Sequence, residues 1–440
     1  MLIRFIVFLD WHYRRFGGYY VENPEEAVNR PATSPLDRKL LAALRSSLGP
    51  VPIALALRDT ENLPNTDSPI VATVRISDRS TLLSMVMSPE LGFGDAYSAG
   101  RIEVEGDLVR SLECVYDSPG IRNWYWRLRS KWFDWVQANT RRGSARNIHR
   151  HYDLSNDFYR LWLDEQMLYT CAYFPKPDIS LEEAQEAKLD LVCRKLCLRP
   201  GETVVEVGCG WGALAIYMAQ HYGVRVKAFN ISHEQIVWAR ECAEQAGVGS
   251  SVEFVEDDYR NVTGRFDAFV SVGMLEHVGL ENYPEMGRVI HRAIGDTGRG
   301  FLHYLGRNHH QPLSVWIRKR IFPGGYPPTL VESLQFLEPH NYSVLDVENL
   351  RMHYARTVEH WLARFESAFD TVVREYGLEF ARMWRLYLAG SIATFRVGKM
   401  QLFQVVFAGS RCQSMPLTRE HLYASVREET DNELWTRATY

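Results

Sequence analysis

Residues 206–212 read Glu-Val-Gly-Cys-Gly-Trp-Gly, an acidic residue followed by glycines at alternate positions. Glycine accepts the positive backbone angles of a tight turn and leaves no Cβ between backbone and ligand. Glu206, Gly208, Gly210 and Gly212 therefore form a candidate nucleotide-binding turn. The spacing differs from the Gly-x-Gly-x-x-Gly of dinucleotide sites. The next strand also ends in Asn230, where those sites place Asp or Glu on a ribose. Both departures favour S-adenosylmethionine over a nicotinamide cofactor. Glu276 and His277 follow another apolar strand, and ligand sites of parallel sheets collect at such strand ends. Three further residues have chemistry but also bland readings. Cys171 could be a small core residue, and His303, inside an apolar strand, a satisfied core histidine. Tyr354 has no signal of its own, and His353 stands beside it as a rival.

These groups need elements that bring strand ends together. Apolar runs at 203–207, 224–229, 252–255, 266–272 and 300–305 read as strands. A helix is expected over 213–221. A second is opened by Ser232-His233-Glu234-Gln235, read as a capping box, and carries Ile236, Ala239, Ala243 and Ala246 on one face. Strands alternating with helices across short turns predict an α/β fold with a parallel sheet and right-handed crossovers. Upstream, a strand at 70–76, a turn at 77–80 and glycines at 92, 94, 100 and 106 predict a small α+β domain. It ends near residue 118, where Asp117-Ser118-Pro119-Gly120 marks a break.

A chain of 440 residues suits at least two domains, and 46% hydrophobic against 24% charged residues excludes a disordered or fibrous chain. A net charge of −4 excludes a strongly basic nucleic-acid binder, so no nucleic-acid partner is expected. The cysteines form no Cys-x-x-Cys pair, which fits reduced thiols and no metal site. No run of about 18 apolar residues is present, so no bilayer-spanning helix is expected. The short apolar run at 1–11, cut by Asp10, reads as a buried or surface-lying helix and not a signal peptide.

Taken in order, the motifs resemble the cyclopropane-fatty-acyl-phospholipid synthase family of S-adenosylmethionine-dependent, mycolic acid cyclopropane synthase-like methyltransferases. The resemblance is carried by His151-Tyr152-Asp153-Leu154-Ser155-Asn156-Asp157-Phe158-Tyr159, Tyr169-Thr170-Cys171-Ala172-Tyr173-Phe174, and the glycine turn. It continues through Ser271-Val272-Gly273-Met274-Leu275-Glu276-His277-Val278-Gly279, Ile321-Phe322-Pro323-Gly324-Gly325-Tyr326-Pro327-Pro328 and Gln401-Leu402-Phe403-Gln404-Val405-Val406-Phe407. Gly94-Asp95-Ala96-Tyr97 through Val104-Glu105-Gly106-Asp107-Leu108 looks like the extra N-terminal domain of bacterial lipid-modifying members. It implies a class I methyltransferase Rossmann-like sheet with helical insertions over 149–412. Before it come an N-terminal lipid- or membrane-associated α+β domain over 1–118 and a basic Trp-rich connecting segment over 119–148. A tail follows over 413–440.

The resemblance implies methyl transfer from S-adenosylmethionine to the cis double bond of an unsaturated phospholipid acyl chain, which closes to a cyclopropane. An alkene is a weak nucleophile, and its attack leaves a carbocation that needs a dry pocket and aromatic faces. The implied base is a bound bicarbonate, caged by Cys171, Glu276, His303, the backbone at Leu305 and Tyr354. Bicarbonate could donate its own OH to Glu276 while other donors hold its charge. For the cofactor the resemblance points to Tyr169, Thr170, the glycine turn, Asn230, Ile231, Gln235, Asp258 and Tyr259, with Asp257 as a rival to Asp258. Two departures stand out. Ser391 occupies a segment where some members carry cysteine, and Leu305 replaces a common isoleucine. The same machinery could instead yield methyl- or methylene-branched chains. Small-molecule N-methylation and lipid binding with a vestigial cofactor site are more distant alternatives.

A substrate held in a bilayer implies a cytoplasmic protein peripherally associated with the inner membrane surface, its partner an anionic membrane; a homodimer is among the assemblies this allows. Two segments could make the contact. Over 121–135, Trp124, Trp126, Trp132 and Trp135 are interleaved with Arg122, Arg127, Arg129 and Lys131 against Asp134 alone. Over 314–322, Trp316, Ile317, Ile321 and Phe322 surround Arg318, Lys319 and Arg320. The alternatives are an inter-domain helix for the first and a lid over an acyl tunnel for the second.

Overall fold

The computed structural model describes residues 34–58, 68–118 and 155–423. The apolar run at 1–11, the Trp-rich segment, His151-Tyr152-Asp153-Leu154 and the end of the tail lie outside these residues.

Seven strands form the central sheet, in the order β6-β5-β4-β7-β8-β10-β9. They are β4 (Thr203–Val207), β5 (Arg225–Asn230), β6 (Val252–Glu256), β7 (Ala268–Val272), β8 (Arg299–Gly306), β9 (Ser343–Asn349) and β10 (Gln401–Ala408). The first five are mutually parallel, as expected, and β10 runs antiparallel between β8 and β9. β4 and β7 are mostly apolar and buried almost end to end because helices cover both faces of a parallel sheet. The helices Ala213–Tyr222 and His233–Gln245 fall where the spacing places them. The capping box does not form: Ser232 makes no side-chain cap bond, and the Gln235 Oε1 instead accepts from the Asn230 amide at 2.8 Å.

The N-terminal sheet holds β1 (Ile53–Leu57), β2 (Ala72–Ile76) and β3 (Ile102–Gly106), with β2 parallel to β1 and antiparallel to β3. Around it lie the helices Pro35–Leu48, Arg79–Met87, Pro89–Ser98 and Leu108–Asp117. Ser34, Asp78 and Asp107 cap three of these helices through their side chains.

These elements do not stand apart from the rest of the chain. The long helix Leu378–Arg396 packs on Pro89–Ser98 and Leu108–Asp117. Its buried Arg382 donates to the carbonyls of Tyr97 and Ile102, each at 2.7 Å. One core therefore joins the N-terminal sheet to the helix Arg351–Ser367, to Leu378–Arg396 and to an aromatic group of Phe158, Tyr159, Trp162, Trp361 and Trp384. Much of the Trp supply is spent in this core. Among the described residues no helix is long and apolar enough to cross a membrane, no His/Cys/Asp/Glu group could hold a metal, and every cysteine is free.

Candidate active site

The glycine turn links β4 to the helix Ala213–Tyr222 at the carboxyl edge of the parallel strands. Gly208 has φ +81°, and its amide donates to the Phe229 carbonyl at 2.9 Å, tying the turn to β5. A pocket at this edge is lined by Tyr169, Thr170, Lys188, Glu206, Gly208, Gly210, Asn230, Ile231, Gln235, Asp257, Asp258 and Tyr259. The cofactor residues expected from the sequence thus meet in one place, apart from Gly212. A Cβ on Gly212 would sit 2.7 Å from both Ala239 and Phe254, and its φ is +88°. Gly212 serves close packing of the turn against the next helix. We expect Gly212→Ala to lower stability by about 1–3 kcal/mol, read as a lower urea midpoint with unchanged slope.

The pocket suits a ligand with a cationic group and hydroxyls. Glu206 is 2% exposed, and its Oε2 has no partner. Burial pushes its carboxyl up to about 8, and the nearby Lys188 ammonium opposes the rise. An unpaired buried acceptor of this kind suits the ammonium of an amino-acid moiety. Tyr259 likewise holds a buried hydroxyl without a partner. Asn230 is committed to the fold: its amide donates to the Gly210 carbonyl at 3.2 Å and to Gln235, while Oδ1 accepts from Ile231 N at 2.8 Å. Asp258 is clamped by Arg260, and Asp257 accepts from Asn261.

A second cavity, about 850 Å³, shares Tyr169, Thr170, Gly273 and His277 with the pocket as a common wall. Its far walls are apolar and include Leu44, Ile53, Leu55, Val74, Met85 and Leu112 from the N-terminal elements. Aromatic faces from Tyr169, Phe322, Tyr354, Tyr387 and Phe395 line it. The Tyr169 and Tyr387 hydroxyls bond at 2.7 Å, and the Tyr354 and Phe395 rings lie 4.7 Å apart.

Cys171, Glu276, His303, Leu305 and Tyr354 all line this same cavity. β8 supplies His303 and Leu305, the short helix Leu275–Val278 after β7 supplies Glu276, and the first turn of Arg351–Ser367 supplies Tyr354. His353, Tyr354's rival, is turned elsewhere: its Nδ1 accepts from the Phe174 amide at 3.0 Å.

The polar groups complement one another. Gln404 on β10, opposite His303 across the strands, donates its amide to the His303 Nδ1 at 3.1 Å. This leaves the proton on Nε2, which is buried and has no partner. Burial, with Lys188 and Lys195 nearby, holds His303 well below the usual histidine range, so the ring is a neutral donor. Glu276 is 6% exposed, and burial pushes its carboxyl up to about 7. Its Oε1 receives the Leu305 amide at a long 3.5 Å, and Oε2 is buried without a partner. Burial also raises the Cys171 thiol, which donates to the Ala172 carbonyl at 3.2 Å. Cys171 is thus a protonated wall residue and not a nucleophile. An unpaired donor and an unpaired acceptor facing one dry space fit a small anion that carries both an acceptor oxygen and a hydroxyl.

Several site residues escaped the sequence reading. Lys188, from the helix Leu181–Lys195, is 1% exposed and donates to the Thr170 hydroxyl at 2.9 Å. Gln404 orients His303, and Arg307 and Tyr387 line the cavity. The segment after residue 314 turns inward: Trp316, Ile317 and Phe322 line the cavity and Arg320 pairs with Asp95 at 2.7 Å. The apolar side chains that a lipid surface would receive face the interior, as a lid would place them.

A family model described as mycolic acid cyclopropane synthetase matches residues 139–405. A "Probable fatty acid methyltransferase" of Pseudomonas putida is 33% identical over 85% of this chain and 96% of its own. The cyclopropane-fatty-acyl-phospholipid synthase of Escherichia coli K12 is 35% identical over 77% of this chain and 88% of its own. Among solved structures, a mycolic acid cyclopropane synthase complexed with SAH and CTAB superposes with a TM-score of 0.57 at 31% identity, covering 60% of this chain and 97% of that one.

Proposed function

The chain belongs to the mycolic acid cyclopropane synthetase family, and from that premise we propose that it cyclopropanates the cis double bond of a phospholipid acyl chain. The broader activity is that of an S-adenosylmethionine-dependent C-methyltransferase acting on lipid acyl chains. The observation that carries the finer reading is the common wall between the pocket at the glycine turn and the apolar cavity. It lets a donor in one compartment face an alkene in the other.

Glu206, Tyr259 and the glycine turn would hold S-adenosylmethionine, which when bound supplies an electrophilic methyl group. Tyr169, Tyr354, Phe322, Tyr387 and Phe395 present π faces to the cationic carbon that an alkylated alkene becomes. The apolar walls around the alkene would keep water from capturing that carbon. Cyclopropane formation then requires loss of a proton, and bicarbonate, when bound, supplies the acceptor. His303 Nε2–H, the Leu305 amide and Tyr354 would hold its oxygens, and the Glu276 carboxylate would accept its hydroxyl proton. Cys171 closes the same wall.

A second product is a methylene-branched chain, formed when the same cation loses a different proton; a saturated methyl branch, which the name of the Pseudomonas putida relative leaves open, would in addition need a hydride donor. Expression in a host lacking such activity, followed by fatty-acid analysis, separates the two. Gain of one CH2 per unsaturated chain, with cyclopropane protons by NMR, is the expected result. A methyl-branched product carries two more hydrogens, a methylene product shows vinylic protons, and unchanged lipids would refute acyl modification.

A further inference from the structure

His303, Leu305 and Arg307 occupy alternate positions along β8 and its continuation, and all three line the large cavity. Tyr304, between them, points into the opposite core, so the pleat alternates as it should. Arg307 therefore lies about 13 Å along the strand from His303, at roughly 3.3 Å per residue. A run of methylenes shorter than a common acyl chain spans that gap.

Arg307 is 7% exposed. Its Nη1 donates to the carbonyls of Gln311 and Pro312 at 3.1 and 2.8 Å, while its Nε is buried without a partner. Among the described residues no carboxylate forms an ion pair with it. Glu90 lines the same cavity, but its Oε2 is taken by the Ser314 hydroxyl and the Val315 amide at 3.0 and 2.9 Å. Burial pulls the guanidinium down to about 10, with Glu90 and Tyr326 opposing and Arg318 adding to the fall, so it stays charged at neutral pH. A buried cation with a spare donor is costly unless an anion completes it.

We propose that Arg307 is the oxyanion anchor of the acyl substrate, its free Nε–H holding the ionised head while the alkene lies between Glu276 and His303. This rests on the acyl-lipid reading of the cavity. The oxyanion is the phosphodiester of a phospholipid or the carboxylate of a free fatty acid, and guanidinium recognises both. The charge-to-alkene separation would then be measured along β8, which makes Arg307 a determinant of which double bond is reached.

The test compares full-length wild type with Arg307→Gln on dioleoylphosphatidylcholine vesicles, oleate micelles and methyl oleate in neutral micelles. KM is expected to rise about 10- to 100-fold for the substrate whose oxyanion is held, the loss of one charged hydrogen bond. The KM for methyl oleate and for S-adenosylmethionine should not move. A rise confined to phosphatidylcholine identifies the phosphodiester, a rise confined to oleate the carboxylate, and a rise for both a general oxyanion site. Unchanged KM for both ionised substrates, or an equal rise for methyl oleate, overturns the anchor. Wild type inactive on every unsaturated substrate would overturn the acyl reading and the anchor with it, whereas active wild type with an indifferent Arg307→Gln sinks the anchor alone. Should Arg307→Gln fail to fold, Arg307→Lys keeps the charge but loses the planar fork, and the same selective rise in KM must appear.

Discussion

Glu276→Gln is expected to lower kcat by about 10²- to 10⁴-fold while leaving S-adenosylmethionine affinity intact, because the side chain serves proton removal and lines the cavity beyond the cofactor pocket. The pH profile carries the sharper signature. Burial raises this carboxyl to about 7, so below that value it is protonated and cannot accept a proton. With the bicarbonate ion held saturating at every pH, wild-type kcat/KM should rise with unit slope up to about pH 7 and then level, and the variant should lose that limb. Stability should move the other way. A carboxyl whose folded pKa exceeds its unfolded value favours folding at low pH, and that contribution fades from the usual carboxylate range up to about 7. The glutamine variant is neutral throughout, so its urea midpoint at pH 8 should exceed that of wild type. A slow variant that is also less stable, or one whose cofactor titration weakens in step with turnover, would refute the assignment.

The reverse trends at one residue show why the site is hard to read from sequence and the sheet is easy. β4, β7 and β8 announce themselves because burial on both faces makes them mostly apolar, and β5 and β6 because apolar residues alternate with charged ones. β9 does not: Ser343–Asn349 is a half-exposed edge strand whose Val344, Leu345 and Val347 sit among polar residues. The glycine turn is legible because tight backbone geometry selects glycine at fixed spacing. Lys188 is not, since a lysine in a Glu-rich amphipathic helix reads as solvated surface, yet here it is buried beneath Thr170. Gln404 and Arg307 each lie in segments whose local pattern is fully explained by strand or loop. Only strands meeting across the sheet give Gln404 its partner, and only the chain at 311–312 and 328–329 folding back on Arg307 makes it interior. The capping box at Ser232 fails for the same reason, because Gln235 is claimed by a residue from the preceding strand.

His303→Ala should cut turnover about 10²- to 10³-fold, the scale seen when a preorganised donor to a charged group is lost. It should raise the bicarbonate concentration needed for half-maximal rate without changing the KM for S-adenosylmethionine. The argument runs through the tautomer. With Nδ1 accepting from Gln404, the ring's one N–H is at Nε2, which is buried without a partner on a residue that lines the cavity. Were the ring to ionise near neutral pH it would add a second limb to the rate profile. Burial holds it well below that range, so His303 should add no limb to the profile between pH 5 and 8. Gln404→Leu leaves Nδ1 without its donor and both tautomers accessible. Its loss should therefore be smaller than that of His303→Ala, about tenfold, while its bicarbonate dependence shifts in the same direction. Bicarbonate titrations that superimpose for wild type, Gln404→Leu and His303→Ala would remove His303 from anion binding and leave it a core histidine, the reading its place in an apolar strand first suggested.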